Sequence, residues 1–280
     1  MEEKQNNFLL AKALAAAAKD KFAKNIVGIY AVESKRKNKN QEKPDLEGTG
    51  FLVRAKSKVF VFTAKHVLDI RHHLGRGALA IAPGRSGQHL IKLMLQETVY
   101  TCSGDRDDVA IVELLSRHEE ELSKYKEIEP THVSNLFPNF EVKENGAVLM
   151  IGFPGEMTER IIDRKNKPGV SSTGIPYLSI LTQKPVLNKK ARYNRERDML
   201  MVFDKENSVN ELDTPILPPD PLGISGGPLI ALLARNIIWT PDELKIIGVC
   251  RKWFEAENCI CATRIEVALE LAKKKWPEEF

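Results

Sequence analysis

Cysteine is scarce in this chain of 280 residues, and the four present (Cys102, Cys250, Cys259, Cys261) form no C-x-x-C pair. That spacing argues against a zinc site and gives no disulfide framework. No stretch approaches the ~18 uninterrupted apolar residues of a membrane helix. An excess of one charge is also missing: 42 Lys+Arg stand against 38 Asp+Glu, a net +4. So small a bias does not by itself argue for nucleic-acid binding. The opening residues Met1 to Asn7 are polar, and the following Leu9 to Ala18 run is alanine-rich and holds Lys12. Neither has the form of a secretory signal, so the expectation is a cytoplasmic protein with reduced thiols and no membrane attachment.

What is present is enough apolar residue, 42 %, for a sizeable core in one large or two small domains. Most of it falls in short β-branched runs bounded by turn residues, which reads as strand. Ile26 to Val32 is one such run. Gly48 to Val53 and Val59 to Ala64 flank a polar turn at Arg54 to Lys58 and read as a hairpin. Leu79 to Ala82, Leu90 to Leu95, Val109 to Val112 and Ala147 to Ile151 continue the pattern. Helix is expected at three places. Leu10, Leu14, Ala18 and Phe22 recur every four residues in 7–24, a helix expected to pack on the body rather than to dock a partner. Ser116 to Ile128 is a charged, helix-prone connector. Thr263-Arg264-Ile265-Glu266 has the form of a capping box, opening a helix with Ile265, Leu269, Ala272 and Trp276 on one stripe.

The most informative stretch is Gly223-Ile224-Ser225-Gly226-Gly227-Pro228, after a proline-rich run and before Leu229 to Leu233. Glycines on both sides of a serine permit a sharp turn and a close approach to a carbonyl. Ser225 is then a candidate nucleophile, and the amides of Gly223 and Ser225 are candidate oxyanion donors. A glycine-rich turn with a surface serine is the alternative. Serine needs a base, and the base an orienting acid. His66, at the end of Phe60 to Ala64, offers the base, and Asp108, opening Val109 to Val112, offers the acid. Asp107 is the fallback acid if the register slips by one, Asp105 belongs with Gly104 in a turn, and His72 and His73 read as surface residues.

Thr-Ala-x-His, Asp-apolar-Ala-apolar and Gly-x-Ser-Gly-Gly-Pro, in the order His66, Asp108, Ser225, resemble the trypsin/chymotrypsin-like serine peptidases. The likeness is closest to their bacterial trypsin-like and high-temperature-requirement branches, without a PDZ domain. It spans roughly residues 26 to 262. It implies an all-β, chymotrypsin-like double β-barrel with a helix at each end. The arm would occupy 1–24, the peptidase domain 25–262 (first barrel about 25–115, second about 142–262), and the terminal helix 263–280, packed on the second barrel. The implied activity is that of a serine endopeptidase needing no cofactor and no metal, acting on a protein or peptide.

The resemblance also marks departures. Secreted relatives pair a freed N-terminal amine with an aspartate just before the serine; Ile224 stands there, so the site is expected to be preformed or switched otherwise, with a latent state held for a regulatory protein partner. The position of the tryptic pocket acid holds Pro219, with Asp220 beside it, so Lys/Arg specificity is not expected. A second pocket wall is expected from Ile246 to Lys252, giving Gly248, Cys250 and Arg251 as substrate-binding candidates, with Arg251 favouring an acidic side chain before the scissile bond. Basic runs at 160–167 and 189–197 read as solvated loops, with nucleic-acid binding as the rival reading. A catalytically idle fold that binds protein is the other rival.

Overall fold

The computed structural model describes residues 13, 15–33, 43–74, 78–83, 88–93, 99–125, 128–162, 168–183, 193–209, 214–232 and 244–280. Helix α1 (15–22) leads into β1 (Ile26–Glu33), β2 (Lys43–Arg54) and β3 (Val59–Ala64). Helix α2 (Lys65–Leu74) follows without a break, then β4 (Ala78–Pro83), β5 (Gln88–His89), β6 (Ile91–Leu93), β7 (Tyr100–Cys102) and β8 (Val109–Glu113). Helix α3 (Ser116–Ser123) and β9 (Thr131–His132) connect to the second half, which holds β10 (Ala147–Gly152), β11 (Thr158–Ile162), β12 (Pro168–Ser172), β13 (Ile175–Thr182) and β14 (Asp198–Val202). The chain closes with β15 (Pro228–Ala231), β16 (Lys245–Phe254), β17 (Cys259–Arg264) and α4 (Ile265–Lys275).

Among the described residues, three sheets result. The first half runs β6-β4-β1-β2-β3-β8-β7, with β9 added in parallel to β2. The second half is a closed barrel, β10-β13-β14-β17-β16-β15. A small sheet, β11-β12-β5, joins a hairpin of the second half to a strand of the first. The architecture is mostly β, as the sequence pattern leads one to expect. The first half departs from a barrel: among the described residues its end strands β6 and β7, three residues each, do not pair with one another.

Strands β3, β8 and β10 are apolar on both faces because both faces are covered. On β8, Val109 and Ile111 join a core between the halves, while Ala110 and Val112 face the interior of the first half. On β10, Leu149 and Ile151 meet the same central core, while Val148 and Met150 fill the barrel. Period-two alternation thus feeds two cores from one unbroken apolar run.

Both terminal helices enter the central core. Ala18 and Phe22 of α1 are fully buried there, so the arm packs on the body as expected. The α4 stripe Ile265, Leu269, Ala272 and Trp276 is buried as its spacing indicates. It does not settle on the second barrel alone. Trp276 meets Phe60 of the first half edge to face at 4.9 Å between centroids, and its Nε1 donates to Glu113 at 2.6 Å. The expected capping box does not form. Thr263 lies in β17 and its hydroxyl donates to the Asp107 carbonyl at 2.6 Å, while the Glu266 carboxylate accepts the Asn139 amide at 2.7 Å. Tertiary partners outcompete the local cap. The connector helix is shorter than its charge pattern indicates, ending at Ser123.

Candidate active site

Strand β3 delivers His66 into the first turn of α2, where the helical amides lack internal acceptors. Asp108 supplies one. Its carbonyl accepts the Lys65 amide at 3.1 Å and its Oδ1 accepts the His66 amide at 2.9 Å. Its Oδ2 lies 2.7 Å from His66 Nδ1. A carboxylate can only accept, so the ring proton sits on Nδ1 and Nε2 is left with its lone pair. The side chains are 48 % exposed for His66 and 16 % for Asp108: the acid is sheltered and the base is open.

Asp108 achieves this with a left-handed backbone, φ +52°, which aspartate tolerates better than most side chains. The three neighbouring aspartates separate cleanly. Asp105 pairs with Lys65 and Asp107 with Arg197 Nε at 3.0 Å, leaving Asp108 for the histidine. The fallback to Asp107 is therefore unnecessary. The side chains of His72 and His73 lie outside the described residues.

The Ser225 loop packs directly against the histidine-bearing half. A Cβ on Gly48 would stand 2.5 Å from Val67 Cγ2 and 2.8 Å from the Ser225 carbonyl oxygen. A Cβ on Gly226 would stand 2.0 Å from the Thr49 oxygen and 2.9 Å from the Ala64 nitrogen. Glycine is required at Gly226 on a second count, its φ of +90°. Ile224 points inward over Gly152 and packs in the apolar cluster of the barrel, and its own side chain carries no charge to receive an amine. The Ser225 hydroxyl donates to the Arg251 carbonyl at 3.2 Å; no hydrogen bond to the His66 ring is present among the described residues.

The backbone bonds of this loop account for every carbonyl from Leu222 to Ser225. Leu222 O accepts from the Gly155 amide at 2.8 Å, and Gly223 O from the Thr49 hydroxyl at 2.8 Å. Ile224 O accepts from the Gly227 amide at 2.9 Å, and Ser225 O from the Thr49 amide at 2.8 Å. The amides of Ile224, Gly226 and Gly227 are bonded in turn, to Pro221, Cys250 and Ile224. Among the described residues, the Gly223 and Ser225 amides have no backbone acceptor. A trans peptide places N–H opposite C=O. With Leu222 O and Ile224 O each tied down, the Gly223 and Ser225 N–H vectors point away from those ties. Two unspent amides flanking a serine hydroxyl are what a developing oxyanion requires.

The specificity candidates fall differently. Cys250 is buried and its thiol is pushed well up by burial. A Cβ on Gly248 would lie 2.8 Å from Met199 Cε, inside the barrel. Arg251 is the correction: its guanidinium pairs with Asp198 at 2.7 Å, the two side chains being 4 % and 2 % exposed. Burial pushes the Asp198 carboxyl up, and the Arg251 charge opposes it. The guanidinium therefore serves an interior ion pair and offers no open surface to an acidic substrate side chain. Sequence reading missed Thr49, Gly155 and Asp198. The threonine between Gly48 and Gly50 was the one legible signal, since close glycines mark a close backbone approach.

Below Pro219 and Asp220 the loop is braced by aromatics. Tyr177 stacks on Phe203 at 5.3 Å and Phe203 on Trp253 at 5.9 Å, while Lys205 pairs with Asp220. Of the basic runs, Arg195 and Arg197 are described, Arg197 being bound to Asp107, and Arg164, Lys165, Lys167, Lys189, Lys190 and Arg192 lie outside the described residues. Among the described residues, no group of three or more His, Cys, Asp or Glu side chains is arranged to hold a metal ion. No protein-family model matches the chain, and no curated protein matches it in sequence.

Proposed function

We propose that the chain is a serine endopeptidase of the trypsin/chymotrypsin type, with Ser225 as nucleophile, His66 as general base and acid, and Asp108 as the orienting carboxylate. The observation that carries this reading is the bonding of the 222–227 loop, which leaves the Gly223 and Ser225 amides unspent beside the serine and across from a His66–Asp108 pair.

The chemistry follows from those atoms. For attack, the Ser225 hydroxyl must leave the Arg251 carbonyl and turn its proton to His66 Nε2. As Oγ attacks the scissile carbonyl, Nε2 takes its proton, and Asp108 Oδ2 stabilises the imidazolium through Nδ1–H. The carbonyl oxygen becomes an oxyanion held by the two free amides; one such donor is worth roughly 10²–10³ in rate. Nε2 then returns the proton to the leaving amine. Water repeats the sequence on the acyl-enzyme and frees Ser225.

A latent form would most simply keep a loop carbonyl turned into the oxyanion position. The Leu222 carbonyl is held away by Gly155, which supports a hole that exists before substrate arrives. The test is labelling of the purified protein by a fluorophosphonate, with Ser225→Ala as control. Labelling that the substitution abolishes is the expected result. A wild-type protein that does not label, folded and at saturating probe, overturns the reading.

A further inference from the structure

The Thr49 hydroxyl stands at the meeting point of three segments. It accepts the Phe153 amide at 3.0 Å and donates to the Gly223 carbonyl at 2.8 Å. An amide can only donate and a carbonyl can only accept, so the direction of both bonds is settled and the single hydroxyl proton is committed to Gly223. The same residue's amide holds the Ser225 carbonyl, and its own carbonyl accepts the Thr63 hydroxyl at 2.7 Å, on the strand that carries the chain to His66. Thr49 is fully buried, so no water competes for these bonds.

We infer that Thr49 is a positioning residue for the oxyanion hole: by bonding the Gly223 and Ser225 carbonyls it holds the peptides that follow these two residues, and so limits the backbone that carries their amides. The inference rests on the hydrolase reading above. Gly223 has φ +96°, a conformation only glycine adopts readily, and glycine is also the residue with the widest choice of alternatives. Something must hold it in one of them. The Gly155 amide fixes the peptide before Gly223 and the Thr49 hydroxyl fixes the peptide after it. The Gly223 N–H lies in the first of these planes, and with both planes held the Gly223 φ and ψ between them have one setting. Without the hydroxyl, the Gly223–Ile224 peptide keeps only the 3.2 Å bond of the Ile224 amide to the Pro221 carbonyl, the Gly223 dihedrals loosen, and the amide is less firmly pre-aimed at the position an oxyanion will occupy. Pre-aiming is where such donors gain their effect, because no reorganisation remains to be done in the transition state.

The consequence is specific to the transition state. The Thr49→Val variant keeps the shape and removes the donor, whereas Thr49→Ser keeps the donor. On a chromogenic ester and on a fluorophosphonate, Thr49→Val is expected to lose roughly 10–100-fold in kcat and in labelling rate, a fraction of a whole lost donor. KM should stay within about twofold and Thr49→Ser within about threefold of wild type, since ground-state binding does not use the hole. Where Thr49→Val does not fold, Thr49→Cys carries the same test, a weak donor of similar size giving an intermediate loss. A merely structural role would lower the unfolding midpoint and leave kcat of the folded fraction untouched. That result, or equal labelling of wild type and Thr49→Val, overturns the inference and leaves the hydrolase reading standing. A wild type that neither labels nor turns over the ester overturns both.

Discussion

Asp108 grips His66 twice, through the backbone amide at 2.9 Å and through ring Nδ1 at 2.7 Å. The first bond decides what the second can be. Because an amide N–H only donates, the Asp108 atom facing it must be an oxygen. In Asp108→Asn, the carboxamide oxygen therefore stays on the His66 amide and the NH₂ group is turned toward Nδ1. Nδ1 must then accept, the proton moves to Nε2, and the ring can no longer take a proton from Ser225. Asparagine tolerates the left-handed backbone as well as aspartate does, so folding is not the confounder. The expected loss in kcat is about 10⁴, with the unfolding midpoint nearly unchanged. A loss under tenfold on an ester substrate would contradict this tautomer argument.

The two close glycine contacts predict a sharp contrast in stability. Gly226→Ala places a methyl 2.0 Å from the Thr49 carbonyl oxygen and 2.2 Å from Thr63 Oγ1, on a backbone with φ +90°. Backbone must shift, and a loss of at least about 2–4 kcal/mol is expected. Gly104→Ala meets nothing within 4 Å and should change stability by less than about 0.5 kcal/mol. Urea unfolding of both variants checks the pair.

The Arg251–Asp198 pair is predicted to be structural. Removing one partner leaves a buried charge, so Arg251→Met alone should cost about 3–5 kcal/mol. Arg251→Met with Asp198→Leu should cost less than the single change, since no isolated charge remains. A double-mutant cycle in denaturant measures the coupling. The same arginine should have no part in substrate choice: a scan of the residue before the scissile bond is expected to show no preference for Asp or Glu that depends on Arg251.

The C-terminal turn should be acid-labile. Glu279 accepts the Ser57 amide at 2.9 Å and the Ser57 hydroxyl at 2.7 Å, which hold its carboxyl below the ordinary 4.5. A depressed carboxyl contributes stability that is present above the unfolded value and lost as pH falls through the lower folded value. Trp276 and Phe280, both packed on Phe60, report the event. Tryptophan emission should shift below about pH 4.5, and Glu279→Gln should remove that part of the shift. The group is largely exposed, so the effect is local rather than a global unfolding step.

Much of the fold is legible from patterns that act over a few residues. The hairpin across Arg54 to Lys58, the apolar runs of β8 and β10, and the α4 stripe ending at Trp276 all stand where spacing puts them. The failures share a cause. The Thr263–Glu266 box has the right local form, but Asp107 and Asn139, both distant in sequence, take its two side chains. Arg251 looks like a pocket residue until Asp198, 53 positions earlier, captures it inside. The central core explains why α4 is not confined to the second barrel: its apolar stripe is wide enough to touch both halves, and Phe60 offers the aromatic partner.

The sequence by itself determined the residue types that chemistry at this site needs: a serine among glycines, a histidine closing one strand, an aspartate opening another, and no charge at Ile224. Those follow from local backbone freedom and from side-chain chemistry, which need no partner to be read. Only the tertiary structure decided which of three aspartates meets His66, which amides of the serine loop stay unspent, and that Thr49 and Gly155 bond the loop's carbonyls. The physical reason is that a hydrogen-bond donor is free or used according to what packs against it. In this loop the Leu222 and Gly223 carbonyls are taken by residues 67 and 174 positions away in the chain.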